Sequence, residues 1–139
     1  MKLKQLLTLT TISILTIITL SGCKSTTKLT DTNTIKIGSS FALTGDVAAY
    51  GKAARNGVVL AVKEYNEQGG VLGKQVELFV EDNKGDEIEA TNAFRKLIDK
   101  ENIVAFIGSD ISSTSEAIAK LAVEKKIPMM TPTATKLGI

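Results

Sequence analysis

Histidine and tryptophan are absent from the 139 residues, and cysteine occurs once. Without histidine the chain lacks the commonest general base at neutral pH and the commonest imidazole metal ligand. A single cysteine cannot close a disulfide within the chain, so the fold has to be held by packing alone. Net charge is scarce as well, because 17 basic residues face 15 acidic ones. Lys2 and Lys4 account for that excess, and past them the two signs balance. The clustered positive face that nucleic acid requires is missing, so no nucleic-acid partner is expected. Nucleotide cradles are missing too: no G-x-G-x-x-G follows the first strand pattern, and there is no G-x-x-x-x-G-K-[ST]. Serine hydrolase chemistry lacks its G-x-S-x-G turn as well as its histidine. Asp82-Asn83-Lys84-Gly85-Asp86 departs from a calcium loop, with its glycine misplaced and no bidentate glutamate. These absences argue against an enzyme, a metal site or a bound cofactor.

What is present begins with export. Lys2 and Lys4 precede an apolar stretch over residues 6–20 that is short and interrupted by threonines, which suits a signal segment better than a permanent span. It ends in Leu20-Ser21-Gly22-Cys23, where small residues admit a peptidase and the Cys23 thiol can take a diacylglyceryl group. The segment resembles the lipobox of bacterial lipoproteins, which implies a lipid-anchored chain on the outer face of the cytoplasmic membrane. The expected organisation is a signal peptide over 1–22, a lipidated Cys23 with a polar tether over 23–34, and one folded unit over 35–139. Ser, Thr, Lys, Asp and Asn dominate the tether, too few apolar groups to repay ordering.

The folded part alternates strand and helix patterns. Residues 35–39 read as a strand, followed by a loop with Thr44-Gly45-Asp46. Ala54, Val58, Ala61, Val62 and Tyr65 then recur at helical spacing within 50–68, and Gly69-Gly70 stops the helix. Val71-Leu72-Gly73-Lys74 turns the chain into a strand over 75–81. Ile88, Thr91, Phe94, Arg95, Leu97 and Ile98 describe a second amphipathic helix. Residues 103–107 are apolar throughout, as a parallel strand covered on both faces would be. A third helix follows Ser112 to Ser115, with Ser113 and Glu116 spaced as a capping box. A fourth strand covers 127–131. This order predicts an α/β fold with a doubly wound parallel sheet in three layers, whose ligands bind beyond the carboxyl ends of the strands.

Two strand-end loops carry the usable groups. Gly108-Ser109-Asp110-Ile111-Ser112-Ser113-Thr114-Ser115 leads into a helix N-terminus, where free N–H groups and the dipole favour an anion. A helix cap with spare serines explains the same residues. Thr131-Pro132-Thr133-Ala134-Thr135 ends the next strand and adds hydroxyls and carbonyls to the same crevice. Tyr50, at a loop-to-helix junction, reads as a core aromatic or a pocket wall.

Ile35-Lys36-Ile37-Gly38, Leu43-Thr44-Gly45, Tyr50-Gly51, Asn66-Glu67-Gln68-Gly69-Gly70-Val71-Leu72-Gly73-Lys74, Glu81-Asp82, Ile107-Gly108 and the Thr131 to Thr135 run appear in that order. Together they resemble the branched-chain amino acid ABC transporter solute-binding proteins, of the type I periplasmic binding fold. The resemblance implies a two-lobed clamp that closes on leucine, isoleucine, valine or a similar small amino acid and delivers it to ABC permease subunits. It implies that Ser112 binds the ligand carboxylate and that Thr135 adds backbone and hydroxyl donors to it. The Thr133 carbonyl would accept from the ligand ammonium, Tyr50 would wall the cleft, and Ser113 would sit beside the binding serine. Ile111 stands where some relatives carry a disulfide cysteine, so that bridge is not expected. Relatives continue past Thr135 into further elements and a second lobe that carries an acidic partner for the ammonium. The sequence therefore reads as an incomplete first lobe, impaired as a binder; the alternative is a membrane-anchored sensor or interaction lobe with no transport role.

Overall fold

The computed structural model describes residues 33–138. The expected signal segment, Cys23 and residues 24–32 of the tether lie outside the described residues. The described chain runs β1 (Thr34–Phe41), α1 (Ala48–Glu67), β2 (Gln75–Asp82), α2 (Glu87–Lys96), β3 (Ala105–Ile107), α3 (Ser112–Lys125) and β4 (Met129–Met130). The four strands form one parallel sheet in the order β2-β1-β3-β4. The chain steps from β1 to one side and returns to the other, so a topological switch point lies between the carboxyl ends of β1 and β3.

Side chains on the sheet alternate between two different covers. Gly38 is in register with Phe79 on one side and Phe106 on the other, and Phe106 with Met129. Phe79, Phe106 and Met129 face the main core, where Ala90, Phe94, Leu97, Ile118, Leu121 and Ala122 from α2, α3 and the turn after α2 pack on them. Phe94 meets Phe106 edge to face, with ring centroids 5.0 Å apart at 84°. Gly38 has no side chain because that space is taken: an added β-carbon would lie 2.6 Å from Ile103 Cδ1. The opposite sheet face carries α1. Of its twenty residues only Gly51 and Val58 are buried. Ala54, Ala61, Val62 and Tyr65 instead line an open apolar groove of about 470 Å³ with Ile37, Ile107 and Met130. The helical periodicity of α1 thus marks its inner side, but that side is only partly covered by the described residues.

Local chemistry sets the boundaries. Leu72 and Gly73 both take positive φ, 53° and 74°, and Val71 pairs with Lys74 across this tight turn, which delivers the chain into β2. Asp86 caps α2, its Oδ1 accepting the N–H groups of Ile88 and Glu89 at 2.8 and 2.9 Å. The second amphipathic stretch does not stay α-helical through Ile98: after Lys96 it widens into a π-turn over Leu97–Glu101 and ends on Asn102 in the left-handed region. β1 runs two residues past the expected end, because β2 pairs with it over its whole length up to Phe41 and Asp82. The third strand is shorter than expected, since Ile103 turns into the core and only residues 105–107 join the ladder.

Candidate functional site

The carboxyl ends of β1, β3 and β4 meet α1 and α3 in an open groove of about 280 Å³, lined by Val47, Tyr50, Asp110, Ile111, Ser112, Thr133 and Thr135. It lies at the switch point, where a doubly wound sheet leaves a crevice. Four of the five residues singled out from the sequence, Tyr50, Ser112, Thr133 and Thr135, line it together. Ser113 is exposed and does not line it.

Helix α3 begins at Ser112, with Ile111 as its N-cap and no side-chain cap. The expected capping box between Ser113 and Glu116 is not formed. Ser113 is already inside the helix, and Glu116 reaches the Lys136 ammonium instead. That cation holds the Glu116 carboxyl below its ordinary pKa, chiefly through their hydrogen bond. Among the described residues the N–H groups of the first turn are left without a side-chain acceptor, the condition under which a helix start receives an anion.

Ser112 Oγ accepts two backbone N–H groups, those of Thr135 and Lys136, each at 3.2 Å. A hydroxyl that accepts twice still has its own O–H to donate. The Ser112 O–H and the N–H groups of the helix start thus gather donors on one wall, while the Thr135 and Lys136 amides hold the serine oxygen in place. Thr133 points the other way, its hydroxyl donating to the Asp110 carbonyl at 2.7 Å. Tyr50 stands in the first turn of α1 with 74 % of its surface exposed, so it is a rim group and not a core aromatic. Its position follows from Gly51, which is buried so close to β1 that an added β-carbon would lie 2.0 Å from the Ala42 carbonyl oxygen.

Beneath the groove lies a buried polar network that sequence reasoning missed. Asn83 Nδ2 donates to Ser109 Oγ at 2.6 Å, and Thr114 Oγ1 donates to the same oxygen at 2.7 Å. Ser109 in turn donates to Asp110 Oδ1 at 3.0 Å, which also accepts the Ala42 N–H at 3.2 Å. Thr131 Oγ1 donates to the Ser109 carbonyl at 2.9 Å. The signal available in the sequence was the run of small polar residues straight after a buried strand. Such groups are buried only when they satisfy one another. A second brace lies at the edge, where Asp82 Oδ1 accepts the Leu43 N–H at 2.9 Å and Oδ2 accepts the Thr44 hydroxyl at 2.6 Å. Burial pushes the Asp82 carboxyl up, but the bonds from Thr44, Lys84 and Leu43 outweigh it and leave the pKa lowered.

Comparison with known proteins places the chain in a family of binding proteins. Residues 34–138 match the model of a family described as periplasmic binding protein. The chain is similar to the Leu/Ile/Val-binding protein BraC3 of Rhizobium johnstonii, 37% identical over 101 residues that cover 73% of this chain and 27% of the relative. A leucine-, isoleucine-, valine-, threonine- and alanine-binding protein of Pseudomonas aeruginosa is 31% identical, over 74% of this chain and 27% of its own. Among solved structures, the branched-chain amino acid transporter substrate binding protein LivJ of Streptococcus pneumoniae, in complex with isoleucine, superposes with a TM-score of 0.73. It is 38% identical and is matched over 76% of this chain and 30% of that one. The chain spans about a quarter of the length of the curated relatives it matches.

Proposed function

The chain belongs to the periplasmic binding protein family, and from that premise we propose that it serves as the substrate-binding component of an ABC importer for branched-chain or related amino acids. The observation that carries the reading is the donor wall: the N–H groups of an uncapped helix start beside the Ser112 O–H, whose oxygen is held by the Thr135 and Lys136 amides so that its proton is left to donate. Such a wall fits a small carboxylate, since it offers several hydrogen-bond donors with no obligatory cation. Leucine, isoleucine and valine are the ligands proposed, in keeping with the names of the relatives. Ser112 and Thr135 would hold the carboxylate, the Thr133 carbonyl would face the ammonium, and Tyr50 would flank the side chain at the rim. Ser113 would act only through the backbone of the first helical turn.

The groove as described is one wall of a site. A ligand in it keeps one side in water, forgoing the burial and exclusion of solvent that closure supplies. Binding by this chain is therefore proposed to be weak, on the order of a millimolar dissociation constant. Cys23 is proposed as the lipidation site that holds the chain at the outer face of the cytoplasmic membrane, with ABC permease subunits as its partners. Ligand-observed NMR titration of the chain with leucine, isoleucine and valine tests the binding. Saturable millimolar binding of at least one supports it, no binding of any contradicts the function, and submicromolar affinity contradicts the open half-site.

A further inference from the structure

Asp110 is the one carboxylate lining the groove, and its surroundings are unusual. It is only 4 % exposed, and Oδ2 is sealed from solvent with no hydrogen-bond partner among the described residues. Every contact of the other oxygen is a donor: the Ala42 N–H, the Ser109 hydroxyl and, at 3.5 Å, Asn83 Nδ2. Three donors converging on one oxygen suit an acceptor-only carboxylate. The side chain is thus fixed in place two residues before Ser112, behind the wall that gathers donors for an anion.

A bare anion gains from the helix start and the Ser112 hydroxyl but is repelled by this neighbour. Lys136, whose amide meets Ser112, has its ammonium already matched by Glu116. A ligand that carries a positive charge close to its carboxylate offsets the repulsion, because its cation interacts favourably with the buried Asp110 charge. We propose that Asp110 makes this groove select for zwitterions, discriminating an α-amino acid from the same acid without its ammonium. It acts through its charge and not by contact, as a specificity-determining residue. The inference rests on the amino-acid reading given above and deepens it, since it places a determinant for the ammonium within the described residues themselves.

The test compares leucine with 4-methylpentanoate, which is leucine without its ammonium, by NMR titration of the full chain in mild detergent. The unsubstituted chain is expected to prefer leucine by about tenfold or more. Asp110→Asn keeps the acceptor for Ala42 and removes the charge; it is expected to tighten 4-methylpentanoate and to change leucine less, so that the preference collapses. A merely structural role would weaken both ligands in parallel, and that result overturns the inference, as does a preference that survives the substitution. Where Asp110→Asn does not fold, Asp110→Ser, smaller and equally neutral, is read in the same way. If the unsubstituted chain binds 4-methylpentanoate as well as leucine, this inference fails alone. If it binds neither, the amino-acid reading fails and takes this inference with it.

Discussion

Ser112 Oγ accepts the backbone N–H of Thr135 at 3.2 Å, joining two residues twenty-three positions apart. This bond fixes the first residue of α3 against the loop that follows β4 and so defines the donor wall. Ser112→Ala removes the hydroxyl acceptor for Thr135 and Lys136 together with the O–H donor proposed for the ligand. The bonds are exposed, so stability is expected to fall by about 1 kcal/mol or less, while leucine binding weakens about tenfold, the loss of a hydrogen bond to a charged group. Chemical denaturation alongside an NMR titration separates the two effects.

Gly51→Ala is expected to be costly out of proportion to one methyl group. The new β-carbon would meet the Ala42 carbonyl at 2.0 Å, and backbone at that distance cannot yield as a flexible side chain can. α1 must lift from the end of β1, at a cost of about 1–3 kcal/mol. Tyr50 moves with it, so both the urea midpoint and the amide shifts around Val47 and Tyr50 should change.

Phe106→Ala removes the ring that packs edge to face on Phe94 at the centre of the main core. A loss of about 3–5 kcal/mol is expected, a large share of the roughly 5–15 kcal/mol that holds a domain together. Circular dichroism should show a large fall in the midpoint of the thermal transition.

Asp82 gives the fold a dependence on acid. Its carboxyl is lowered in the folded chain, so the stability it contributes is present above the unfolded value near pH 4 and is lost as pH falls through the folded value. Asp82→Asn should therefore be less stable than the parent at pH 7. The gap should close as both are acidified below about pH 4, followed by denaturation at a series of pH values.

Cys23→Ser is expected to abolish incorporation of labelled palmitate in a bacterial host and to release the chain from the membrane fraction. Labelling that persists in the serine variant would contradict the lipid anchor.

The alternation of strand and helix was legible because each element carries its own period. The apolar run around Phe106 and the spacing of Ile118, Leu121 and Ala122 both report on burial, and both face the core. Ser112, Thr133 and Thr135 could be singled out because loops at strand ends concentrate hydroxyls, and the structure sets them around one groove. What escaped was pairing across the sequence. Ser113 and Glu116 have the spacing of a capping box, yet Glu116 finds Lys136, twenty residues on, and leaves the helix start uncapped. Asp110 and Asn83 are twenty-seven positions apart and look like ordinary loop residues, since only the parallel ladder brings the ends of β2 and β3 to the same buried network. The spacing in α1 told which side faces the sheet but not how much of that side is covered, because coverage depends on neighbours that periodicity cannot count.

The most direct test of the account is an amide-resolved NMR titration of the full chain with leucine. Donor-wall binding predicts that the N–H signals of Ser112, Ser113, Thr135 and Lys136 shift together along one saturable millimolar curve, and that Ser112→Ala removes the response. Shifts confined to the apolar groove around Val58 and Ile107, or no saturable shift at all, would contradict it.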